Sequence, residues 1–455
     1  MKQHWTQIEL INSWTLSQYE IEIINKKENK LVYAFKMKYF DIYGSFAYEN
    51  TEVPIVVLNF IKQQVEIDED NLSHYPWNNR ISRQHNTEIR KFYGFEKFTD
   101  DDYRYLGEYL EKNIIIQGTS KGEALTEVLG QLHKKKIVPP TVKELRKYIN
   151  GVYKKYEESL FNVIVGFLNI KDKKSLDKLA TEQEDGSCIL SLLRSNTGKI
   201  STPTIKEEIA KIEYIKKTGI LKKNLLKVVP KKILKKYHDK VSIYKPSDLM
   251  SIKAQNSHKY YGLLGCFCSY RGGKTLDTLI EIFIRRFHRI EQKARSKAKQ
   301  ELWNSENENN TLFDSLIDIS IDKPDDIIRQ AIYPNVGGKE KLEKAKTLRD
   351  TSKYRKQLLE YKQLSNFYIY HHKANIFSIL QHLEMNSNQS NVVLDTILKV
   401  VNKIDDNQYQ EEFYPKDHNL PIDGIVLEKD IGVIQTPDGK VIRIYYELAA
   451  LKKLR

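Results

Sequence analysis

The side chains best able to meet a ligand in this sequence are basic, and they come in clusters. Arg80, Arg83, Gln84, His85, Arg90 and Lys91 follow one another on or just before a segment with helical spacing. Arginine presents a planar fork of donors and glutamine a paired donor and acceptor, which are the groups that read base edges from near a helix start. Lys143, Arg146 and Lys147 open a long helical pattern further on. Lys231, Lys232, Lys235 and Lys236 fall at i, i+1, i+4 and i+5, so they share one helical face while Ile233, Leu234 and Tyr237 point elsewhere. Such a stripe fits a phosphate-facing surface and a merely solvated one. Between Thr275 and Lys299, the residues Arg285, Arg286, Arg289, Lys293, Arg295, Lys297 and Lys299 accompany an apolar side of Ile282, Phe283, Phe287 and Ile290. Any single one of these cations also fits a core or surface-pair role.

Other chemistry is hard to assemble. Gly272-Gly273-Lys274-Thr275 resembles the end of a phosphate-binding loop, but the pattern needs glycine where Cys268 stands, and no strand precedes it. Cys266 and Cys268 have no second ligand pair at zinc spacing and read as core thiols. His371 and His372 are adjacent, which sends their side chains about 100° apart on a helix and disfavours joint ligation. Serine nucleophile elbows, HExxH and GxGxxG are absent as convincing motifs. Two-metal phosphoryl transfer needs carboxylates converging on a rigid frame. Asp100-Asp101-Asp102, Asp325-Asp326 and Asp405-Asp406 instead sit at expected helix starts or in loops, where carboxylates complement helix dipoles. No catalytic residue, metal or cofactor is expected in the chain, and a nuclease is disfavoured.

The totals agree with a polyanionic partner. Among 455 residues, 74 Lys and Arg stand against 60 Asp and Glu, a formal charge of +14. Each phosphate neutralised releases condensed counterions, so such an excess favours nucleic acid; a Lys-rich surface from a compositionally biased genome is the plain alternative. The charge is uneven. Thirteen lysines between Lys199 and Lys240 face only Glu207, Glu208, Glu213 and Asp239. Hydrophobic residues make up 40%, enough to bury cores and exclude global disorder. Three cysteines, Cys188, Cys266 and Cys268, give no disulfide framework and fit a reducing compartment. With no apolar leader or membrane-length run, a cytoplasmic, nucleoid-associated protein without membrane contact is expected. Aromatic and glycine-rich signatures of RNA modules are missing.

The elements that must position these residues are mostly helices. Ser17 with Glu20 marks a helix to about Lys27, and Leu31 to Tyr39 a second that stops at Gly44. Pro54 opens a third with the stripe Ile55, Leu58, Ile61 and Val65, and a short acidic helix precedes a segment capped by Ser82 and ending at Gly94. A helix over Glu123–Lys135, a break at Val138-Pro139-Pro140 and a Thr141/Glu144 box before a long helix resemble a helix-turn-helix, or an ordinary helical hairpin. That long helix carries Leu145, Ile149, Val152, Tyr156, Leu160 and Val163. Pro203 opens a helix closing at Gly219, Pro230 opens the lysine-rich one, and two long helices are expected on either side of Gly272-Gly273. Asn304 to Asn310 reads as a polar loop, and Val426 to Tyr446 as a β-hairpin around Pro437-Asp438-Gly439. The expected fold is mainly α, with several small helix-turn-helix-like domains, a helical linker and a short C-terminal hairpin. Its domains are expected at 1–97, 98–170 and 171–303, followed by a linker or dimerisation region over 304–455.

One resemblance then emerges from ordered motifs. They are Ser13-Trp14-Thr15-Leu16, Ala34-Phe35-Lys36-Met37-Lys38-Tyr39-Phe40 with Gly44-Ser45-Phe46, Val53-Pro54, and Tyr75-Pro76-Trp77. Arg80-Ile81-Ser82-Arg83-Gln84-His85, Glu88-Ile89-Arg90 and Tyr93-Gly94-Phe95 complete the amino-terminal series. Pro139-Pro140-Thr141, Ser159-Leu160-Phe161, Ile212-Glu213-Tyr214-Ile215 and Ile444-Tyr445-Tyr446-Glu447-Leu448-Ala449-Ala450-Leu451 extend it. The series resembles the Tn-three family of replicative-transposon transposases. The resemblance implies helical domains that bind terminal inverted repeats, with double-stranded DNA contact at Arg80 to Lys91 and on the later basic helices. It also implies a magnesium-binding acidic triad beyond the segment resembling Tyr445–Leu451, for which this chain, ending at Arg455, offers no counterpart. The expected role is therefore end binding without strand cleavage, with a free-standing regulator or repressor of transposition as the alternative. A homodimer or association with a full-length transposase is the expected assembly.

Overall fold

The computed structural model of the protein describes residues 2, 4–48, 51–67, 75–181, 188–322, 328–350, 352–383, 385, 392–403, 412–414 and 420–455, and its architecture is mainly α. The amino-terminal helices are α1 (Gln7–Trp14), α2 (Gln18–Ile24), α3 (Lys30–Tyr43), α4 (Ile55–Val65) and α5 (Arg80–Phe92). Then come α6 (Asp100–Tyr109), α7 (Lys121–Lys134), α8 (Val142–Gly166), α9 (Ile170–Ala180), α10 (Ile189–Arg194) and α11 (Thr202–Lys217). They are followed by α12 (Lys231–Ile243), α13 (Pro246–Gln255) and the long α14 (Ser257–Asp322). The remainder holds α15 (Ile328–Val336), α16 (Lys339–Asp350), α17 (Ser352–Phe367), α18 (Lys373–His382), α19 (Val392–Lys403), α20 (Ile431–Ile434) and α21 (Arg443–Leu454). The one sheet among the described residues is a parallel pair of two-residue strands, β1 (Glu96–Lys97) and β2 (Ile137–Val138), with Glu96 opposite Ile137.

Two compact units share these elements. The first comprises Met1–Phe167, Leu225–Tyr244 and Ser251–Phe267. The second comprises Leu168–Asn224, Lys245–Met250 and Cys268–Arg455. In the first unit an apolar cluster is drawn from α1 to α5, with Trp14, Phe35, Met37, Phe40, Ile61 and Ile89 fully buried. Trp14 stacks on Phe35 with ring centroids 5.9 Å apart. The aromatic run of α3 makes this possible, because that helix is wrapped on nearly every side and buries Leu31 through Lys38 without a break. In the second unit, Leu279, Phe283, Phe287 and Ile290 of α14 pack in one core with Tyr361, Leu364, Ile376, Ile379, Tyr446 and Leu451.

Helix starts follow the side chains that satisfy free backbone N–H groups. Complete capping boxes form at Ser17/Glu20, Ser120/Glu123 and Thr141/Glu144. Gly44 ends α3 with φ +64°, and a Cβ there would also lie 2.6 Å from the His133 ring, so both conformation and close approach require glycine.

Several expectations are corrected. Asn79, not Ser82, caps α5; its side chain accepts from the Ser82 N–H at 2.9 Å, and Ser82 lies inside the first turn, buried. Ile55 and Val163 are exposed, and Val57 and Ile164 occupy the core instead. Gly272-Gly273 does not separate two helices but lies within α14. The helix passes close to its neighbour there, since a Cβ on Gly272 would sit 2.5 Å from Leu221 Cδ2. Asn304 to Asn310 continues that same helix. Without Gly or Pro, its polar residues cost only a few tenths of a kcal/mol each as helix, too little to stop propagation.

At the carboxyl end the Pro437-Asp438-Gly439 turn does form, with Gly439 at φ +82°, but it closes a single antiparallel bridge between Gln435 and Val441. The flanking residues are helical, α20 before the turn and α21 after it, and Tyr446 through Leu451 of α21 are all buried. Asp100 to Asp102 occupy the first turn of α6, as expected. Asp325-Asp326, Asp405-Asp406 and most of the expected acidic helix before Tyr75 lie outside the described residues.

Candidate nucleic-acid interface

Helix α5 separates its residues cleanly. At about 100° per residue, Arg80, Arg83, Gln84, Thr87 and Lys91 form one stripe, while Ser82, His85 and Ile89 face the opposite side and are buried. Arg80, Arg83, Gln84 and Lys91 are exposed. Gln84 donates to Glu88 Oε1 at 3.0 Å, and Glu88 in turn pairs with Lys27 Nζ at 2.6 Å. Arg90 is half-buried and turns back to donate to the Phe95 carbonyl at 3.2 Å, which ties off the end of the helix.

His85 leaves the set of outward-facing residues. It is buried, with Nδ1 2.9 Å from the Tyr75 hydroxyl and its ring edge-on to Tyr33. Burial, reinforced by the Lys36 ammonium, pulls its pKa down to about 4, so it is a neutral core residue at neutral pH. Helical spacing puts position 85 on the inner face that buried Ser82 and Ile89 share.

Helix α8 exposes Lys143, Arg146 and Lys147 in its first turns, on the side away from buried Leu145 and Ile149. The expected four-lysine face of α12 is only partly free. Lys231, Lys232 and Lys235 are exposed, with Lys232 donating to Gln117 Oε1 at 2.6 Å. Lys236 is half-buried and donates to the Thr119 carbonyl at 3.3 Å while lying over the Tyr153 ring. Desolvation lowers the pKa of Lys236.

This folding-in of α12 builds a cleft of about 780 Å³ in the first unit, lined by Lys121, Lys154, Lys236, Lys240 and Lys259. Its carboxylates, Glu157 and Glu158, pair loosely with Lys240 at 3.7 Å and Lys154 at 3.9 Å. Lys121 and Lys236 both lie over the face of Tyr153. Of the five lysines, only Lys236 was among the residues selected from sequence. The others are isolated cations on four separate helices, and nothing short of the tertiary fold gathers them.

In the second unit the arginines of α14 divide similarly. Arg285 is exposed and paired with Glu281 one turn earlier, and Arg289 is exposed. Arg286 is half-buried and donates through Nε to His372 Nδ1 at 3.1 Å. Burial and the neighbouring cations, Arg286 first among them, lower the pKa of His372 to about 4. His372 is thus engaged by Arg286, and no group of three metal-binding side chains occurs among the described residues. Cys188, Cys266 and Cys268 are buried free thiols, with burial pushing Cys268 up to about 12. No helix among the described residues is long and apolar enough to cross a membrane.

Comparison with known proteins finds transposases among the chain's relatives. Residues 1–152, which include the α5 stripe and the start of α8, match a family described as a domain of unknown function (DUF4158). The chain is similar to the transposase for transposon Tn1546 of Enterococcus faecium, 29% identical over 210 residues that make up 45% of this chain and 21% of the relative. It is similar to the transposase for transposon Tn21 of Escherichia coli at 20% identity over 64% of this chain and 30% of that protein. A third, the transposase for transposon Tn3926 of Escherichia coli, is 22% identical over 45% of this chain and 21% of its own length. The matched segments therefore span between a fifth and a third of these relatives. The likeness to Tn-family transposases expected from the ordered motifs is shown.

Proposed function

We propose that the chain binds duplex DNA at the terminal inverted repeats of a transposon and so takes part in transposition. The observation that carries this reading is the α5 stripe, an exposed row of Arg80, Arg83, Gln84 and Lys91 on one helix within residues 1–152, in a chain that is similar to transposases. Its side chains suit the task. Arginine takes guanine O6 and N7 together, glutamine takes adenine N6 and N7, and lysine serves phosphate as a point charge. The exposed cations of α8 and the lysines of the first unit's cleft add backbone contacts, which fix register without reading sequence.

The reading is tested by fluorescence anisotropy with the ends of the element that carries the gene, against scrambled duplexes of equal length. Preference for the true ends is expected, with a log–log salt slope near −5 if about six phosphates are engaged. Replacing Arg83 by Ala should cost about 1–3 kcal/mol on the true ends and far less on scrambled DNA. Equal affinity of the unaltered chain for true and scrambled ends would remove the claim of specific recognition.

A further inference from the structure

The second unit holds a separate concavity of about 740 Å³ that no part of the reading above uses. Lys171, Lys178, Lys216, Lys217, Lys222 and Lys223 line it, against one carboxylate, Asp172. From this geometry we infer a second, sequence-independent site for the sugar-phosphate rail of duplex DNA.

The cleft is held open by specific packing. Asp172 belongs to the first turn of α9, where its carboxylate accepts from the Asn169 N–H at 3.1 Å and meets Lys223 Nζ at 3.4 Å. Gly219 lets the turn after α11 come this close: its φ is +73°, and a Cβ on it would lie 2.5 Å from Asp172 Oδ1. The single anion is therefore consumed inside the wall. Lys216 is likewise engaged, donating to the His382 carbonyl at 3.1 Å, and Lys217 lies by the Tyr214 ring. Lys171, Lys178 and Lys222 are exposed and take no hydrogen bond or ion pair among the described residues.

Six ammonium groups around one concavity repel one another, and the repulsion is relieved by a polyanion. Length and chemistry favour duplex DNA. Lys171 and Lys178 stand seven residues apart on one face of α9, a run of about 10 Å, longer than a single phosphate group and so suited to successive phosphates along a strand. The lining has no arginine. The guanidinium fork suited to base reading is thus absent, while the compact charge of lysine grips any phosphate.

The site shares no residue with α5, so it stands or falls separately. The test uses the full chain and a short random-sequence duplex, with anisotropy followed over a range of salt. The triple variant K171Q/K178Q/K222Q should reduce the magnitude of the log–log slope by about 2–3, and K171R/K178R/K222R should keep it. Circular dichroism confirms that each variant is folded. An unchanged slope in a folded glutamine triple overturns the site, even if the same protein still prefers true transposon ends. A reduced slope supports the site, even if the unaltered chain shows no such preference and the α5 reading fails. A greater loss on single-stranded RNA than on the duplex would overturn the assignment to duplex DNA.

Discussion

Lys36 Nζ lies 2.8 Å from Ser82 Oγ and 3.3 Å from the Ser82 carbonyl, joining the middle of α3 to the first turn of α5 inside the core. The ammonium is fully buried, with the Tyr75 hydroxyl at 3.5 Å and the Tyr75 and Trp77 rings at 5.2 and 5.6 Å. No carboxylate pairs with it among the described residues, and burial brings its pKa down to about 8. The outward stripe of α5 is thus aimed by an inward anchor. Ser82→Ala should cost about 1–3 kcal/mol in urea unfolding, because it leaves a buried donor short of its nearest acceptor. In a Lys36→Met background the same change should cost much less, giving a coupling energy of about 0.5–3 kcal/mol. Additive effects would mean that the two groups do not sense each other.

His85 gives the first unit an acid-sensitive stability. Its folded pKa, about 4, lies below the ordinary value of 6.5, chiefly through burial. Between these values the unfolded chain binds the proton and the folded chain does not, so stability falls as pH drops from about 6.5 towards 4. At pH 5 the loss should be about 2 kcal/mol. His85→Gln should show a smaller drop between pH 7 and pH 5 than the unaltered chain in paired urea titrations. An identical drop would place the acid sensitivity on carboxylates instead.

Arg286 and Arg289, one turn apart on α14, should respond oppositely to truncation. Arg286→Ala removes the donor to His372 and should lower stability by about 1–2 kcal/mol, with little change in DNA affinity. Arg289 is exposed, so its alanine variant should keep stability within about 0.5 kcal/mol and weaken binding to any duplex. Thermal melts and anisotropy on the same two proteins check both halves.

The local grammar of this fold was readable from sequence, and its long-range decisions were not. Capping boxes at Ser17 and Thr141 depend on residues three apart and form as expected, while a third at Ser120/Glu123 starts its helix at Lys121, two residues before the expected Glu123. The α5 stripe was readable except for His85, whose place on the inner face follows from helical spacing once Ser82 and Ile89 are known to be buried. The lysine cleft of the first unit was not readable, because Lys121, Lys154, Lys240 and Lys259 meet only through tertiary packing. The carboxyl end misled for a related reason. Its β-branched alternation is a weak preference, and Val433, Ile434 and Tyr446 enter the core of the second unit from helices instead.

Gly272 and Gly273 provide a direct check on the continuity of α14. Glycine pairs often mark a helix end, yet here both lie inside one helix, and only the first is hemmed in. A Cβ on Gly272 would lie 2.5 Å from Leu221 Cδ2 and 3.2 Å from Ile215 Cγ2, whereas one on Gly273 would meet nothing within 4 Å. Alanine at 273 gains helix propensity with no steric penalty and should stabilise the protein by about 0.5–1 kcal/mol. Alanine at 272 gains the same propensity but pushes into packed aliphatic side chains, an overpacking that costs about 1–3 kcal/mol and so reverses the sign. Were the pair a turn between two helices, replacing Gly273 would strain the turn and lower the denaturation midpoint. Equilibrium denaturation of the two single variants therefore distinguishes a continuous helix from a broken one by the sign of a single difference.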